Sequence, residues 1–137
     1  MKKVIILLSM ILVVGACTNV QTQKQGPKAI ENIVQVVDRE YELSNIFAGQ
    51  GLTLGFDDQG RVFGYSGLNR FFGKVEIKDG KMKVSTLAST RMGGSREALI
   101  REDQYLSLLN SMTKIEEEEG KLILTNDMGE QLIFVAK

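Results

Sequence analysis

Side chains able to do chemistry are few in this chain, and the scarcity narrows its function. Among 137 residues there is no His and a single Cys, Cys17. Imidazole acid–base catalysis, His-based triads and the common Cys/His zinc centres are therefore excluded, as is an internal disulfide. Glu102 is the most unusual carboxylate, because it falls on the apolar side of a helical pattern. A catalytic acid there would need a second carboxylate or a nucleophile beside it. The sequence nominates neither, so a structural salt bridge is expected, with Arg91 as its partner. Arg91 lies between the apolar Leu87-Ala88 and Met92. An alternative joins Arg91 and Arg96 to the amides of Gly93-Gly94-Ser95 as an anion site at a helix start. Asn69 occupies a Gly-rich bend, where its amide is expected to bond the loop backbone rather than a ligand.

Other candidates read more plainly. Asp57-Asp58 and Glu116 to Glu119 lack the ligand spacing of an EF-hand. They are expected to be solvated hairpin charge that discourages sheet pairing. Gly49-Gln50-Gly51 lacks the Lys-Ser/Thr of a phosphate-binding loop. Phe56, Phe63, Phe71 and Phe72 are expected in the core rather than as a stacking platform. No catalytic residue, metal site or cofactor is assigned. Seventeen basic against seventeen acidic residues give no reason to expect nucleic acid as a partner.

The elements that must position these residues are mostly strands. Segments 41–47, 52–56 and 61–65 are separated by turn residues, and Leu52-Thr53-Leu54-Gly55-Phe56 alternates at period two. Lys74 to Lys78, Asp79-Gly80 and Lys81 to Val84 form the clearest hairpin. Asp-Gly suits a two-residue type I′ turn, placing Ile77 opposite Met82 and Val75 opposite Val84. One helix is expected from about 95 to 112, with Ser95 as N-cap and Leu99, Glu102, Tyr105, Leu106, Leu109 and Met112 on one side. Strands at 114–118, 121–125 and 131–136 follow. Leu122-Ile123-Leu124 and Leu132 to Val135 are apolar at every position, so cover on both faces is expected. Five strands, one helix and three strands without a βαβ repeat give the fold class: mainly β, a small antiparallel barrel-like sheet of about eight strands, with the helix over one opening or flank.

The N-terminus reads as an address. Met1-Lys2-Lys3 is basic, Val4 to Val14 is apolar apart from Ser9, and Gly15-Ala16 precede Cys17. This is the plan of a cleaved secretory signal, too short for a membrane-spanning helix. Val14-Gly15-Ala16-Cys17 resembles the lipobox of bacterial lipoproteins, which implies cleavage before Cys17 and lipid attached to it. Thr18, where Asp would favour inner-membrane retention, favours the outer membrane in a two-membrane host. The expected domains are a signal peptide at 1–16, a lipidated N-terminus and flexible tether at 17–36, and a globular domain at 37–137. Ala29 to Val37 fits either a short helix or a strand. Loss of Lys2 and Lys3 with the signal leaves the mature chain mildly acidic.

Three stretches carry a family resemblance. Gly64-Tyr65-Ser66-Gly67-Leu68-Asn69-Arg70-Phe71-Phe72-Gly73 is followed by Leu87 to Gly94 with Thr90-Arg91-Met92 at its centre. Glu102-Asp103-Gln104-Tyr105-Leu106 with Leu109 comes next. In this order, and with the closing 122–124 and 132–134 strands, they resemble the META domain of heat-inducible, HslJ-like bacterial lipoproteins. The resemblance implies a barrel-like antiparallel sheet with one helix, an envelope setting, and links to heat stress and novobiocin tolerance. It implies no agreed reaction. Leu68 and Gly94 stand where many relatives have Cys, which fits a disulfide pair absent here, and Tyr41 stands where Trp is common. The expected function is therefore a non-enzymatic, lipid-anchored envelope protein with an interaction or stress-protective role. Its partners would be the membrane, through Cys17, and an envelope protein. The alternative is a barrel that holds a small ligand.

Overall fold

The computed structural model describes residues 25–137. Cys17 and the signal segment lie outside the described residues.

Nine strands and one α-helix form the fold: β1 (Lys28–Ala29), β2 (Glu40–Leu43), β3 (Thr53–Phe56), β4 (Arg61–Tyr65), β5 (Arg70–Lys78), β6 (Lys81–Ser89), α1 (Arg96–Ser111), β7 (Met112–Glu118), β8 (Lys121–Asn126) and β9 (Gln131–Ala136). Each strand from β2 to β6 pairs antiparallel with the next. β7 pairs with β6 and β8, and β9 pairs with β8 and returns to β2. These eight strands close a barrel. The expected fold class and the order of five strands, helix and three strands are what the molecule adopts.

Alternation decides what faces inward. Along β5 exposed and buried residues alternate, with Phe71 and Val75 inside and Arg70, Phe72, Lys74 and Glu76 outside. The Asp79-Gly80 turn has φ of 51° and 78°, as a type I′ turn requires, and sets Ile77 opposite Met82 and Val75 opposite Val84. Phe56, Phe71 and Phe134 join Leu52, Leu54, Leu122, Leu124 and Leu132 in one interior core. β8 and β9 bury Leu122, Leu124, Leu132 and Phe134 inward, and their outer face is only partly shielded, with Ile123 8% exposed. There Ile123 faces Ile133 across the strand pair, and Val135 is exposed.

Two stretches extend beyond expectation. The Gly-rich bend ends at Asn69, and Arg70 to Gly73 already belong to β5. β6 runs on to Ser89 through a bulge that absorbs one extra residue near Thr86, whose φ is 55°. The folded domain also takes in residues 28–36, ahead of the boundary expected at 37. β1 pairs with β7, Ile30 and Val36 are buried, and Asn32 caps a 3-10 turn at Ile33–Gln35. The amides of Asp79 and Gly80 donate to the carbonyls of Glu31 and Ile30, both at 2.8 Å. Segment 28–32 thus fills the seam where β6 and β7 share only the Lys81–Lys114 pair.

Helix α1 starts on Ser95, whose hydroxyl accepts from the Ala98 amide at 3.2 Å. It packs against β6 and lies over the barrel end where β3 and β5 begin and β4 and β6 finish. Only Tyr105 and Leu109 are fully buried along it. Leu99, assigned to its apolar side, stands 46% exposed. Among the described residues no helix is long and apolar enough to cross a membrane.

Candidate functional site

The motif residues meet at the barrel end beneath α1. Ser66 and Asn69 lie in the β4–β5 turn, Thr90 to Met92 follow β6, and Glu102 projects from the second turn of the helix. Asn69, 2% exposed, is the hub. Its Oδ1 accepts from the Met92 amide at 2.7 Å and the Thr90 hydroxyl at 3.1 Å. Its Nδ2 donates to Glu102 Oε1 at 3.1 Å and to the Met92 carbonyl at 3.4 Å. The Ser66 hydroxyl donates to the other Glu102 oxygen and accepts from the Asn69 amide at 2.9 Å. Thr90 Oγ1 also accepts from the Arg70 amide at 3.2 Å.

This arrangement joins two loops, the start of β5 and a helix with polar groups that satisfy one another. Both oxygens of Glu102 and both ends of the Asn69 amide are engaged. Asn69 bonds backbone, as expected, but at Met92 in the segment after β6 rather than in its own bend, and it adds the side chains of Thr90 and Glu102. Of the Thr90-Arg91-Met92 motif, Thr90 contributes its hydroxyl and Met92 its backbone.

Arg91 does not pair with Glu102. Its side chain is exposed, and Ser66 and Asn69 fill the places an arginine would take on that carboxylate. Arg91 and Met92 instead line a shallow, open depression of about 340 Å³ with Thr90, Gly93, Leu99 and Glu102. Of the alternative anion-site residues, Arg91 and Gly93 line this depression, whereas Arg96 and Ser95 do not. Sequence reasoning passed over Ser66, although a Ser three residues before a bend Asn is a recognisable turn device. It also passed over Arg101, which lies against Gly67 and Leu52 with its Nε buried and without a hydrogen-bond partner.

The neighbouring packing explains two sequence departures. A Cβ added at Gly94 would lie 2.6 Å from Leu68 Cδ1, so the Leu68 side chain covers Gly94 directly. The two non-Cys positions are therefore spatial neighbours, and an apolar contact joins them here. Tyr41 is buried at the β2–β9 seam. Under the hub, Tyr105 donates to the Thr53 carbonyl at 2.9 Å and meets Phe71 edge-on at 5.6 Å between ring centres. Full burial pushes the Tyr105 phenol well above its ordinary range. Gly64 sits where a side chain would collide with the Thr53 carbonyl oxygen and the Phe71 ring, so only a bare Cα lets β4 approach β3 this closely.

Two of the four phenylalanines are misplaced by the core expectation. Phe56 and Phe71 are buried, but Phe63 is 43% and Phe72 56% exposed, because both fall on outward positions of their strands. The expected hairpin charge at Asp57 is real but not free. Desolvation is the largest single influence and pushes its carboxyl up, but hydrogen bonds from the Arg61 guanidinium and the Arg61 and Gln59 amides, with the Arg61 charge, together outweigh it and hold the group below the usual range. Among the described residues no group of three or more potential metal ligands converges.

The fold and hub together define a closed eight-stranded antiparallel barrel whose one helix is tied across an open end by a buried Asn–Glu network. The META domain model matches residues 34–137, and the chain belongs to the META domain family. No curated protein matches the sequence. Among solved structures, a protein from Burkholderia xenovorans determined by NMR is 22% identical, with a TM-score of 0.63 over 85% of this chain and 96% of that one. A second NMR structure gives 18% identity and a TM-score of 0.58, covering 77% and 95%. A DUF4847 family protein from Bacteroides vulgatus ATCC 8482 gives 16% and 0.50, covering 64% and 59%. At these identities the likeness is one of fold.

Proposed function

We propose that this chain is a bacterial envelope lipoprotein, anchored through Cys17, whose META domain works without catalysis as an interaction or stress-protective module. The observation that carries this reading is the closed bonding of the hub. Glu102, Asn69, Ser66 and Thr90 are the polar groups nearest to a site, and they are spent on one another. A catalytic carboxylate needs a substrate proton within reach and a second reacting group. Glu102 borders the open depression beside Arg91, but both its oxygens are engaged and no second carboxylate lines that depression among the described residues. The barrel interior is taken by phenylalanine and leucine side chains, which favours an outer-surface role over a ligand held in the lumen. The lipobox-like Val14-Gly15-Ala16-Cys17 supports the anchor, and Thr18 supports an outer-membrane destination. Heat and novobiocin tolerance are the stresses to which the family resemblance points.

Labelled palmitate incorporation and membrane fractionation test the anchor in wild type and Cys17→Ser. Label and membrane retention are expected in the first and absent from the second. A soluble, unlabelled wild type would overturn the anchor. Survival of heat and novobiocin by deletion strains carrying surface or hub variants tests the protective role.

A further inference from the structure

The outward faces of β4, β5 and β6 carry a pattern that barrel stability does not require. Their register pairs Phe63 with Phe72, flanked on one side by Arg61 opposite Lys74 and on the other by Tyr65 opposite Arg70. The rings are exposed although they stand in the middle of a paired sheet. Beyond Lys74 the same face of the hairpin continues to Lys78, placed directly opposite Lys81, with Lys83 opposite Glu76. Like charges directly opposite one another destabilise a sheet. Lysines often protect a sheet edge, which accounts for Lys83, since β6 meets β7 only at Lys81–Lys114; Arg70 and Lys74, however, stand on β5, which β4 and β6 pair on both sides. Arg61 is held by Asp57 at 2.6 Å, whereas Arg70, Lys74 and Lys83 join no ion pair among the described residues.

The position of this stripe relative to the tether gives it direction. The chain reaches the barrel through β1, and the Asp79-Gly80 turn bonds the carbonyls of Ile30 and Glu31. The tether arrives with Lys28 beside Glu117, and the lysine end of the stripe lies two to three residues further on, where Ile30 and Glu31 meet the Asp79-Gly80 turn; Phe72 lies about 20 Å further along β5. From Cys17 to Lys28 the chain spans at most about 40 Å. A domain held at Cys17 can lay the whole stripe on the surface that holds its lipid. On the other side of β1, Glu117 and Glu118 at the β7–β8 tip carry opposite charge and flank the same chain entry, so only the β4–β5–β6 side of that entry presents basic residues.

We propose that the β4–β5–β6 face is a docking surface for an anionic phospholipid bilayer, with lysines on the headgroups and the Phe63–Phe72 pair at the acyl boundary. Aromatic rings and basic side chains on one face are the combination that binds such an interface. This rests on the lipoprotein reading, since the anchor supplies the proximity, but it predicts a separate contact.

The chain contains no Trp, so Phe72→Trp in the full lipidated protein reports on this face alone. With phosphatidylglycerol-containing vesicles, the Trp emission is expected to shift to the blue and to be quenched by nitroxide lipids. Both effects should fade at 1 M salt, where the screening length falls to about 3 Å. Neutralisation by Lys74→Gln or Lys83→Gln should lower the docked-to-undocked ratio about fivefold per residue. Protein that floats with the vesicles but keeps water-like emission would overturn the docking face and leave the anchor standing. Protein that neither floats nor shifts would overturn both. An equal shift with phosphatidylcholine alone would overturn the charge argument. Quenching by a single-stranded oligonucleotide instead of by vesicles would overturn the bilayer in favour of nucleic acid.

Discussion

Asn69→Ala removes the centre of the hub while leaving the barrel strands untouched. Four side-chain hydrogen bonds are lost, two accepted and two donated, and one donated bond goes to a carboxylate. Neutral bonds contribute about 1 kcal/mol each and a charged one about 1.5–3 kcal/mol, while the Met92 amide and Glu102 are left unsatisfied. The expected loss is about 3–5 kcal/mol, a fall in Tm of roughly 10–20 °C for a domain of this size. Urea unfolding followed by far-ultraviolet circular dichroism measures it, with an unchanged m-value showing that only stability moved. A polarity swap makes the test sharper. Asn69→Asp sets two carboxylates about 3 Å apart and should cost at least as much as Ala. In the double variant Asn69→Asp, Glu102→Gln, the introduced amide can donate to the introduced carboxylate while its carbonyl still accepts from Ser66, so most of the loss should return. A loss below about 1 kcal/mol for Asn69→Ala would refute the hub as a structural staple. So would a double variant less stable than Asn69→Asp alone.

Three further outcomes follow from the same packing. Gly64→Ala forces a methyl into the Thr53 carbonyl, and the variant should be among the least stable single substitutions, read as loss of soluble folded protein and of native circular dichroism. Arg91→Ala should leave the stability to urea within about 0.5 kcal/mol of wild type, because the side chain is exposed and Glu102 is held by others; a loss above about 2 kcal/mol would restore the abandoned Arg91–Glu102 pair. Tyr105 has a folded-state pKa raised by burial, so its contribution is complete below its unfolded value of about 10 and is lost as pH rises beyond it. Tyr105→Phe should therefore cost roughly 1–3 kcal/mol at neutral pH through the lost bond to Thr53, yet flatten the alkaline decline of stability seen in wild type.

The sequence disclosed elements where local chemistry and global packing agree. The Asp79-Gly80 hairpin, the Ser95 cap and the alternation of β5 follow from dihedral preference and period-two burial, and each is where it was expected. The hub was only half legible. Asn69 and Glu102 were conspicuous, one in a glycine-rich bend and one on an apolar stripe, but the bond between them spans 33 residues. Charge complementarity suggested Arg91, and the structure chose a neutral amide. Asn126 was invisible for the same reason. It is 8% exposed and bonds the amides of Met128 and Glu130, a turn lock that looks in sequence like any polar strand end. The exposed Phe63 and Phe72 show the limit of hydrophobicity alone, since only the register of β4 against β5 decides which face a ring takes.

The barrel's closure has a consequence for when the protein can fold. β2, among the first strands of the chain, completes its pairing only against the last, with Tyr41 beside Ala136 and Leu43 beside Phe134. Until that final segment is free, the early strands have no partner on one side and the interior has no Phe134 to fill it. Contacts of such wide separation also make folding slow, because the loop must close before it is rewarded. For a chain exported as proposed above, this ordering would keep the early segments open to the export machinery. Barrel assembly would then begin in earnest only on the far side, once the last strand has arrived.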